Sequence, residues 1–415
     1  MGLELVKFLV VAFTNLAQVL LLLTGVFYFF LSMRGFFKSR RSVPDGTLRR
    51  FAVLLPAYNE EKVIGFSIES LINMSYPADK FDVFLVADHC TDSTVAIARS
   101  LGVTVLEHTG PDKKPGKGRA LRWAVSAILK TGRYDAFCYF DADSLAHPDF
   151  LNVMNSHLAG GEEAVQGRQL TKNEDAWLSR ILSSSQLLMN RLLQMPKYMS
   201  GLSATLHGKG MCFSKRITGQ FAWDETCLTE DIEMQMRLIR NGVRITWAED
   251  AVVYNEEPVA VGQYVKRNIR WTRGSMDVAK RHFKGMFYRM LEKGDLKAFE
   301  GALYCGGVYK LAAIMVLTAI PLYLTGDSFI FCFWLYHKLP GAEAAAKLIR
   351  LLPLVIYPVA ALLMERVNLS LFLAYFLTPV LGVLRLPILV GGLLRRDAVW
   401  GRTEHTSQVA ISDLV

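Results

Sequence analysis

Two aspartates close an apolar run near the middle of the chain. Residues 136–140 read AFCYF, and Asp141 and Asp143 follow one residue apart. If the strand continues through them, side chains at i and i+2 point the same way and both carboxylates share one face. Oxygen ligands of this kind suit Mg²⁺ or Mn²⁺, whereas a solvated pair that ends a loop is the plain alternative. The position at the end of a buried strand favours a metal that bridges a diphosphate.

Three further segments place polar residues after strands or at a helix start. The sequence PAYNEE, residues 56–61, follows one apolar run, and Asp88 ends another, where its carboxylate could accept from a base N–H. Asp92 opens a helical pattern, in which a helix N-cap is an equal interpretation. The stretch KKPGKGRA, residues 113–120, brings Lys117 to a helix N-terminus, which favours phosphate oxygens. By itself that stretch could be a flexible surface loop.

Short apolar runs alternate with helical patterns over residues 50–258. The alternation predicts an α/β fold, a doubly wound and mainly parallel sheet. Ligands of such sheets bind beyond the carboxyl ends of the strands. The polar residues described above would therefore meet at one edge.

Taken in order, these segments resemble the inverting family 2 glycosyltransferases, which have a GT-A fold. Residues 228–231, LTED, look like the TED motif of that family. Residues 267–271, RNIRW, look like its (Q/R)xxRW motif, typical of membrane-embedded synthases of cellulose, hyaluronan and chitin. Residues 207–210, HGKG, fall where the family has a glycine-rich segment on the acceptor side. The resemblance covers about residues 50–275, although Ala87 stands where many relatives have a second aspartate before Asp88.

The resemblance implies a role for each matching residue. The donor would be a nucleoside diphosphate sugar, with a UDP-sugar as the first expectation, and Asp141 and Asp143 would hold Mg²⁺ or Mn²⁺. Asp231, beside Glu230, would take the acceptor proton as general base, which implies inversion at the anomeric carbon. The residues implied in donor binding are Pro56, Tyr58, Glu60, Asp88, Lys117, Asp141, Arg267 and Arg270. Those implied in acceptor binding are Trp271, His207 and Gly208.

Two of these assignments have simpler alternatives. Glu230 and Asp231 open a helical pattern, where acidic residues complement the helix dipole. Trp271 could be an interfacial membrane anchor instead of a platform for a sugar ring. The agreement of five segments in one order favours the catalytic interpretation.

Composition points to a membrane protein. The chain has 415 residues, of which 52% are hydrophobic and 20% charged. Residues 8–33 carry no charge and are long enough to span a bilayer. Basic residues follow directly, which predicts that residue 34 onward is cytoplasmic; a cleaved signal peptide is the alternative. Residues 302–325 predict a second span, 349–364 and 369–384 are shorter apolar runs, and 326–340 could be re-entrant.

The net charge of +9 is concentrated near the second span. Residues 263–299 contain ten Lys and Arg against three acidic residues. Because apolar segments follow, this belt predicts contact with anionic lipid headgroups and no nucleic acid. The six scattered cysteines predict free thiols.

The expected organisation is an N-terminal span with a basic linker (1–49), a GT-A domain (50–258), amphipathic interfacial helices (259–300), C-terminal spans or re-entrant helices (301–396) and a polar cytoplasmic tail (397–415). The predicted activity is elongation of a polysaccharide at the cytoplasmic face of the cell membrane by a multi-pass enzyme. Transfer of one sugar to a polyprenyl phosphate or glycolipid is the alternative. A non-catalytic receptor or scaffold with the same fold is disfavoured by the intact carboxylates.

Overall fold

A computed structural model describes residues 2–37, 46–109, 115–326, 352–394 and 405–415. The described residues contain one eight-stranded sheet, in the order β3-β2-β1-β4-β7-β6-β8-β5. The strands are β1 Phe51–Ala57, β2 Phe81–Asp88, β3 Thr104–His108, β4 Ala136–Tyr139, β5 Leu145–Ala146, β6 Ala164–Thr171, β7 Met211–Ser214 and β8 Thr246–Asn255.

The first four strands form the parallel half of the sheet. Strand β1 pairs in parallel with both β2 and β4, and β2 pairs in parallel with β3. Strand β7 runs antiparallel to β4 and β6, whereas β6 and β8 are parallel. The α/β prediction is therefore confirmed, and the sheet is parallel in its first half and mixed beyond β4.

Helices cover both faces of the sheet. Every residue of β1 is buried, as expected for a strand packed on both sides. The helices of this region are α2 Ile64–Ile72, α3 Thr94–Ser100, α4 Lys117–Leu129, α5 Phe150–Ala159, α6 Trp177–Met189, α7 Met195–Met199, α8 Lys215–Gln220 and α9 Glu230–Arg240. Alternate residues of β1 enter two separate apolar clusters, Leu54 one and Leu55 the other.

The remaining helices lie before and after this α/β region. They are α1 Gly2–Ser32, α10 Val261–Lys293, α11 Leu296–Gly306, α12 Lys310–Thr325, α13 Tyr357–Met364, α14 Leu369–Tyr375 and α15 Thr378–Leu394. Gly294 ends α10 with a left-handed φ of 59°, which a glycine adopts without strain. The basic belt thus lies mainly on one 33-residue helix, followed by the short helix α11.

Within the part of the chain that the structure describes, two helical stretches are long and apolar enough to cross a membrane, Glu4–Phe36 and Leu296–Leu324. The pair formed by α14 and α15, bent by 47°, would add a third if it acts as one span. Helix α1 packs on α12, where the Gln18 side chain donates to the Leu317 carbonyl at 2.8 Å. The possible re-entrant segment lies outside the described residues, apart from Gly326.

One ion-pair cluster joins the last helices to the sheet. Glu365, just after α13, accepts from Arg168 on β6 and from Arg191. Arg191 also donates to the Gly35 carbonyl at 2.8 Å, at the end of the N-terminal helical segment. A single buried carboxylate therefore ties together the sheet and helical segments from both ends of the described chain.

Candidate active site

A cleft of about 420 Å³ opens at the carboxyl edge of the parallel strands. The ends of β1 and β2, the turn after β4 and the first turns of α4 and α9 form its walls. Helix α10 closes another side. All residues predicted for donor, acceptor, catalytic and metal roles line it: Pro56, Tyr58, Glu60, Asp88, Lys117, Asp141, Asp143, His207, Gly208, Glu230, Asp231, Arg267, Arg270 and Trp271.

The aspartate pair lies beyond its strand. Strand β4 ends at Tyr139, so Asp141 and Asp143 belong to the turn that follows, in which Ser144 N–H donates to the Asp141 carbonyl at 3.0 Å. The expectation that both share a strand face is therefore wrong. The turn directs the two carboxylates to different partners inside the same cleft.

Asp143 is a buried carboxylate among cationic groups. Its Oδ2 accepts the backbone N–H of Glu256 at 3.1 Å. Burial alone would raise the pKa of Asp143, but His405, Lys209 and Lys172 hold that pKa well below its ordinary range. The group is therefore an anion under all physiological conditions.

Lys117 joins the two halves of the cleft. Its Nζ donates to Asp141 Oδ1 at 2.5 Å and to the Gly208 carbonyl at 2.9 Å, and it lies 3.6 Å from Glu230 Oε1. Burial alone would lower the pKa of Lys117, but Asp141 and Glu230 raise it above its ordinary value. A fixed positive charge therefore lies between Asp141 and the start of α9.

Asp231 is held in a state unusual for a carboxyl group. Burial and the adjacent Glu230 raise the pKa of Asp231 to about 7, although Lys117 opposes the shift. Gly208 makes room for it: a Cβ at this position would lie 3.2 Å from both Asp231 Oδ2 and Lys117 Nζ, and its φ is +75°. A carboxyl group with a pKa near neutrality can exchange a proton with a ligand in the cleft.

Helix α10 contributes two arginines and an indole to the cleft. The guanidinium of Arg267 donates to Glu257 Oε2 at 2.6 Å and lies 4.8 Å above the ring of Trp271. Trp271 remains 44% exposed, so part of the indole is available to a ligand. Arg270 lines the same wall.

His207 is a neutral group in this environment. Burial, Lys209 and Lys197 lower its pKa to about 4. The His207 Nε2 lies 2.7 Å from the Gln194 Nε2 and accepts a hydrogen bond from this amide N–H. It can orient a hydroxyl group but cannot supply a proton near neutrality.

Pro56, Tyr58 and Asp88 line the cleft at the carboxyl ends of β1 and β2. Oδ2 of Asp88 accepts the Gly116 N–H at 2.6 Å. Pro56 belongs to β1, and Tyr58 follows that strand directly. A flat ring that enters here would meet both backbone and carboxylate acceptors.

The C-terminal segment also enters the cleft. Nδ1 of His405 lies 3.1 Å from Glu60 Oε2, and the N–H groups of Thr406 and Ser407 donate to Glu256 at 2.8 and 3.0 Å. Burial alone would lower the pKa of His405, but Asp143 and Glu60 raise it to about 9. Residues 405–407 are thus part of the site, not only of a polar tail.

The residues of this wall are not among those that the sequence predicts for the site. Glu256 had a detectable signal, because it follows the mainly apolar run AVVYN at the end of β8 much as Asp141 follows β4. His405 had none, because 345 residues separate it from its partner Glu60. Lys209 belongs to the HGKG segment, in which the sequence predicts roles only for His207 and Gly208.

Comparisons with known proteins agree on one family. The family model described as "Glycosyltransferase like family 2" matches residues 49–274, more than half of the chain. A probable glycosyltransferase of Bacillus subtilis, YdaM, is 25% identical over 254 residues, which are 59% of this chain and 60% of that protein. Poly-beta-1,6-N-acetyl-D-glucosamine synthase of Staphylococcus aureus is 23% identical over 260 residues, 62% of either chain. The match thus spans about three fifths of these relatives.

A solved structure shares the fold. Mannosyltransferase PcManGT from Pyrobaculum calidifontis, in complex with GDP-Man and Mn²⁺, superimposes with a TM-score of 0.59 at 18% identity. The superposition covers 93% of this chain and 99% of that protein. The likeness extends to the helices outside the α/β region.

Proposed function

The chain belongs to glycosyltransferase family 2, and from this membership we propose that it transfers a sugar from a nucleoside diphosphate sugar to an acceptor at the membrane surface. The observation that carries the proposal is one cleft in which Asp231, with a pKa raised to about 7, faces the Asp141–Asp143 turn across Lys117. Such an arrangement separates a proton acceptor from a site for a leaving diphosphate. Inversion at the anomeric carbon would follow from a single displacement.

The nucleoside would bind at the end of the cleft formed by Pro56, Tyr58 and Asp88. One lone pair of the Asp88 carboxylate that is not used by Gly116 would accept from a ring N–H of the base, which uracil and guanine both have. Glu60 would support this end through its contact with His405. A UDP-sugar remains the first donor to test.

The residues at the turn after β4 fit Mg²⁺ or Mn²⁺. Asp143 remains ionised, Asp141 is a second carboxylate in the same cleft, and carboxylate oxygens are ligands that both ions accept. Such an ion, when bound, would neutralise negative charge on the departing diphosphate. The structure of PcManGT in complex with GDP-Man and Mn²⁺ supports this choice of ion.

The protein's own cations would complete the diphosphate site. Lys117 lies at the N-terminus of α4, where free backbone N–H groups attract phosphate oxygens. Arg267 and Arg270 approach from α10 on the opposite wall. We expect phosphate to draw Lys117 away from Asp141, which would free this carboxylate for the divalent ion.

Asp231 would take the proton of the acceptor hydroxyl while the new glycosidic bond forms. A pKa near 7 matches the working pH better than an ordinary aspartate does, which is the condition for efficient general base catalysis. Glu230 would keep that pKa high. The exposed part of Trp271 would stack on the acceptor sugar, and His207 and Gly208 would border its hydroxyl groups.

A screen of nucleotide sugars tests the proposal. Purified full-length protein, in detergent with added acceptor membranes, is incubated with UDP- and GDP-sugars, with and without Mn²⁺. We expect nucleoside diphosphate release with one class of donor, dependent on the metal. Asp277→Asn is a suitable control, because Asp277 is a half-exposed residue of α10 paired with Arg281 away from the aspartates of the cleft. Release that is equal for Asp231→Asn and this control would contradict the mechanism.

The acceptor has two candidates. The first is a growing polysaccharide, elongated in step with its export by an enzyme whose catalytic domain lies on the cytoplasmic side. The sequence relation to a poly-beta-1,6-N-acetyl-D-glucosamine synthase supports this candidate. Transfer of one sugar to a lipid acceptor, a polyprenyl phosphate or glycolipid, is the alternative; the described residues contain two candidate spans, or three with the bent pair. Product size separates the two: a labelled product that carries one sugar on a lipid excludes the polymer.

We also propose the division of the chain that the sequence predicts, with a membrane helix before the catalytic domain and interfacial helices after it. The exposed apolar side chains of Phe283, Phe287 and Leu291 on α10, beside many basic residues, support contact with the lipid surface.

A further inference from the structure

A cluster of two histidines and one aspartate lies at the carboxyl ends of two neighbouring strands, and its aspartate also lines the cleft. Asp88 ends β2, His89 follows it, and His108 ends β3. Because β2 and β3 are parallel neighbours and Asp88 is paired with His108 in register, the three residues meet at one corner of the sheet. Nδ1 of His89 lies 2.7 Å and Nδ1 of His108 2.9 Å from the same oxygen, Asp88 Oδ1.

We propose that this corner is a second metal site, selective for zinc-class ions and distinct from the Asp141–Asp143 site. One ligand atom from each of the three side chains lies within 4.8 Å of the others. Zinc binds imidazole nitrogen and carboxylate oxygen at about 2.0–2.2 Å, so a small opening of the two imidazole–carboxylate contacts would admit it. Two imidazoles with one carboxylate suit Zn²⁺ or Co²⁺ rather than Mg²⁺, which prefers oxygen.

The surroundings of the cluster support metal binding. The second oxygen of Asp88 accepts the Gly116 N–H at 2.6 Å, which fixes the orientation of the carboxylate as partners of metal ligands usually do. The ring of Trp123 packs against His108 with centroids 5.2 Å apart and limits its rotation. The side chains of His89, His108 and Asp88 are 18%, 11% and 6% exposed. Water could therefore supply the remaining ligand.

The same contacts have a simpler explanation without metal. Each imidazole can carry a proton on Nδ1 and donate it to Asp88, and the histidines would then only orient the carboxylate. A metal bound to Nδ1 would take the place of this proton, and each imidazole would then carry its proton on Nε2. Replacement of each histidine by asparagine separates the two explanations. Asparagine can still donate a hydrogen bond to Asp88, but it is a poor zinc ligand.

Occupation of this site would have a consequence for the proposed reaction. If Asp88 recognises the nucleotide base, as the proposed function holds, a zinc ion on Asp88 and a bound nucleotide exclude one another. Zinc would then inhibit in competition with the donor, while Mg²⁺ or Mn²⁺ at the other site activates. The metal site itself does not depend on this consequence.

The test is direct binding to the full-length protein in detergent, freed of metal by chelation. Excess Mg²⁺ is present to fill the proposed Asp141–Asp143 site. Co²⁺ is added as a spectroscopic probe and is then displaced by Zn²⁺. Calorimetry measures the affinity for each ion. We expect one tightly bound ion per chain with the visible absorption of Co²⁺ bound to nitrogen ligands. His89→Asn and His108→Asn should each weaken binding of the ion by about 10-fold or more. Loss of a group that only supports a metal ligand already weakens binding by about this factor, and loss of the ligand itself should weaken it at least as much.

Two controls locate the ion. His147→Asn changes a histidine outside the cluster, whose Nδ1 accepts from Asp149 N–H, and should leave binding unchanged. Asp143→Asn should also leave it unchanged. Thermal unfolding of each metal-free variant checks that it is folded. Absence of a bound ion, equal binding by all variants, or loss only in Asp143→Asn would overturn the site and leave the histidines as hydrogen-bond donors.

Competition with nucleotide separates the two proposals. Added UDP or GDP should weaken Zn²⁺ binding if Asp88 also recognises the base. Binding that is lost in both histidine variants but insensitive to either nucleotide would support the metal site and contradict the proposed role of Asp88.

Discussion

Replacement of Asp231 by asparagine tests the proposed chemistry most sharply. Asparagine keeps the size of the side chain but cannot accept a proton from a hydroxyl group. A positioned general base contributes roughly 10²–10⁴-fold to a rate, so we expect kcat to fall by about that factor. At about 1.36 kcal/mol for each factor of ten, this corresponds to a rise of about 3–5 kcal/mol in the activation barrier. Donor affinity should change little, because Asp231 is proposed to contact the acceptor hydroxyl and not the donor.

The pH dependence of the wild-type rate provides the second readout. Only the ionised form of Asp231 can accept a proton, and its pKa is raised to about 7. Activity should therefore fall as pH decreases below about 7, by a factor approaching ten for each pH unit. An ordinary aspartate would produce this decline only below about pH 4. The assay is release of nucleoside diphosphate between about pH 5.5 and 8.5, at saturating donor and metal.

Two results would refute this reasoning. The first is a rate for Asp231→Asn within about threefold of wild type, far less than general base catalysis supplies. The second is a flat wild-type profile through pH 7 when the chemical step limits the rate. Asp277→Asn, the half-exposed substitution on α10, controls for a general loss of charge. Binding of the nucleoside diphosphate by calorimetry distinguishes loss of chemistry from loss of the donor site.

Three further predictions concern the supports of this site. Glu230→Gln should shift the acidic limb of the pH profile to lower pH, because Glu230 raises the pKa of Asp231; an unmoved limb would show that another group titrates. Gly208→Ala should reduce kcat and destabilise the fold by about 1–2 kcal/mol, because φ is +75° and its Cβ would contact the Asp231 carboxyl group, the proposed general base. Thermal unfolding and initial rates check this, and an unchanged variant would contradict the close packing. Glu365→Ala should cost about 3 kcal/mol of stability, because it removes the carboxylate that both Arg168 and Arg191 contact in a largely buried cluster. An unchanged unfolding midpoint in detergent would show that the cluster is hydrated.

Local sequence patterns were sufficient for the fold and for most walls of the cleft. The apolar runs that became β1, β2 and β4 end in polar residues, and the parallel pairing of these strands brings those ends together. The Asp88, Lys117 and Asp231 segments could be placed for the same reason. A strand end or a helix start is a local property, and the rules of α/β packing convert it into a shared location. The roles of these residues remain predictions.

Local patterns failed where a residue depends on distant neighbours. The turn that separates Asp141 from Asp143 was interpreted as a continued strand, since the i, i+2 spacing is compatible with both. The unusual pKa of Asp231 arises from burial and from Glu230, so the charge of a site follows from packing rather than from residue type alone.

Short segments were enough to identify the family, the first four alternating strands and helices, and the polar residues near strand ends, because each of these features is local. Folding of the whole chain is what brings His405 to Glu60 and makes His89 and His108 converge on Asp88. Contacts between residues far apart in the chain depend on how whole elements pack. No local periodicity encodes them, and so the most specific features of this cleft emerge only when the chain is folded.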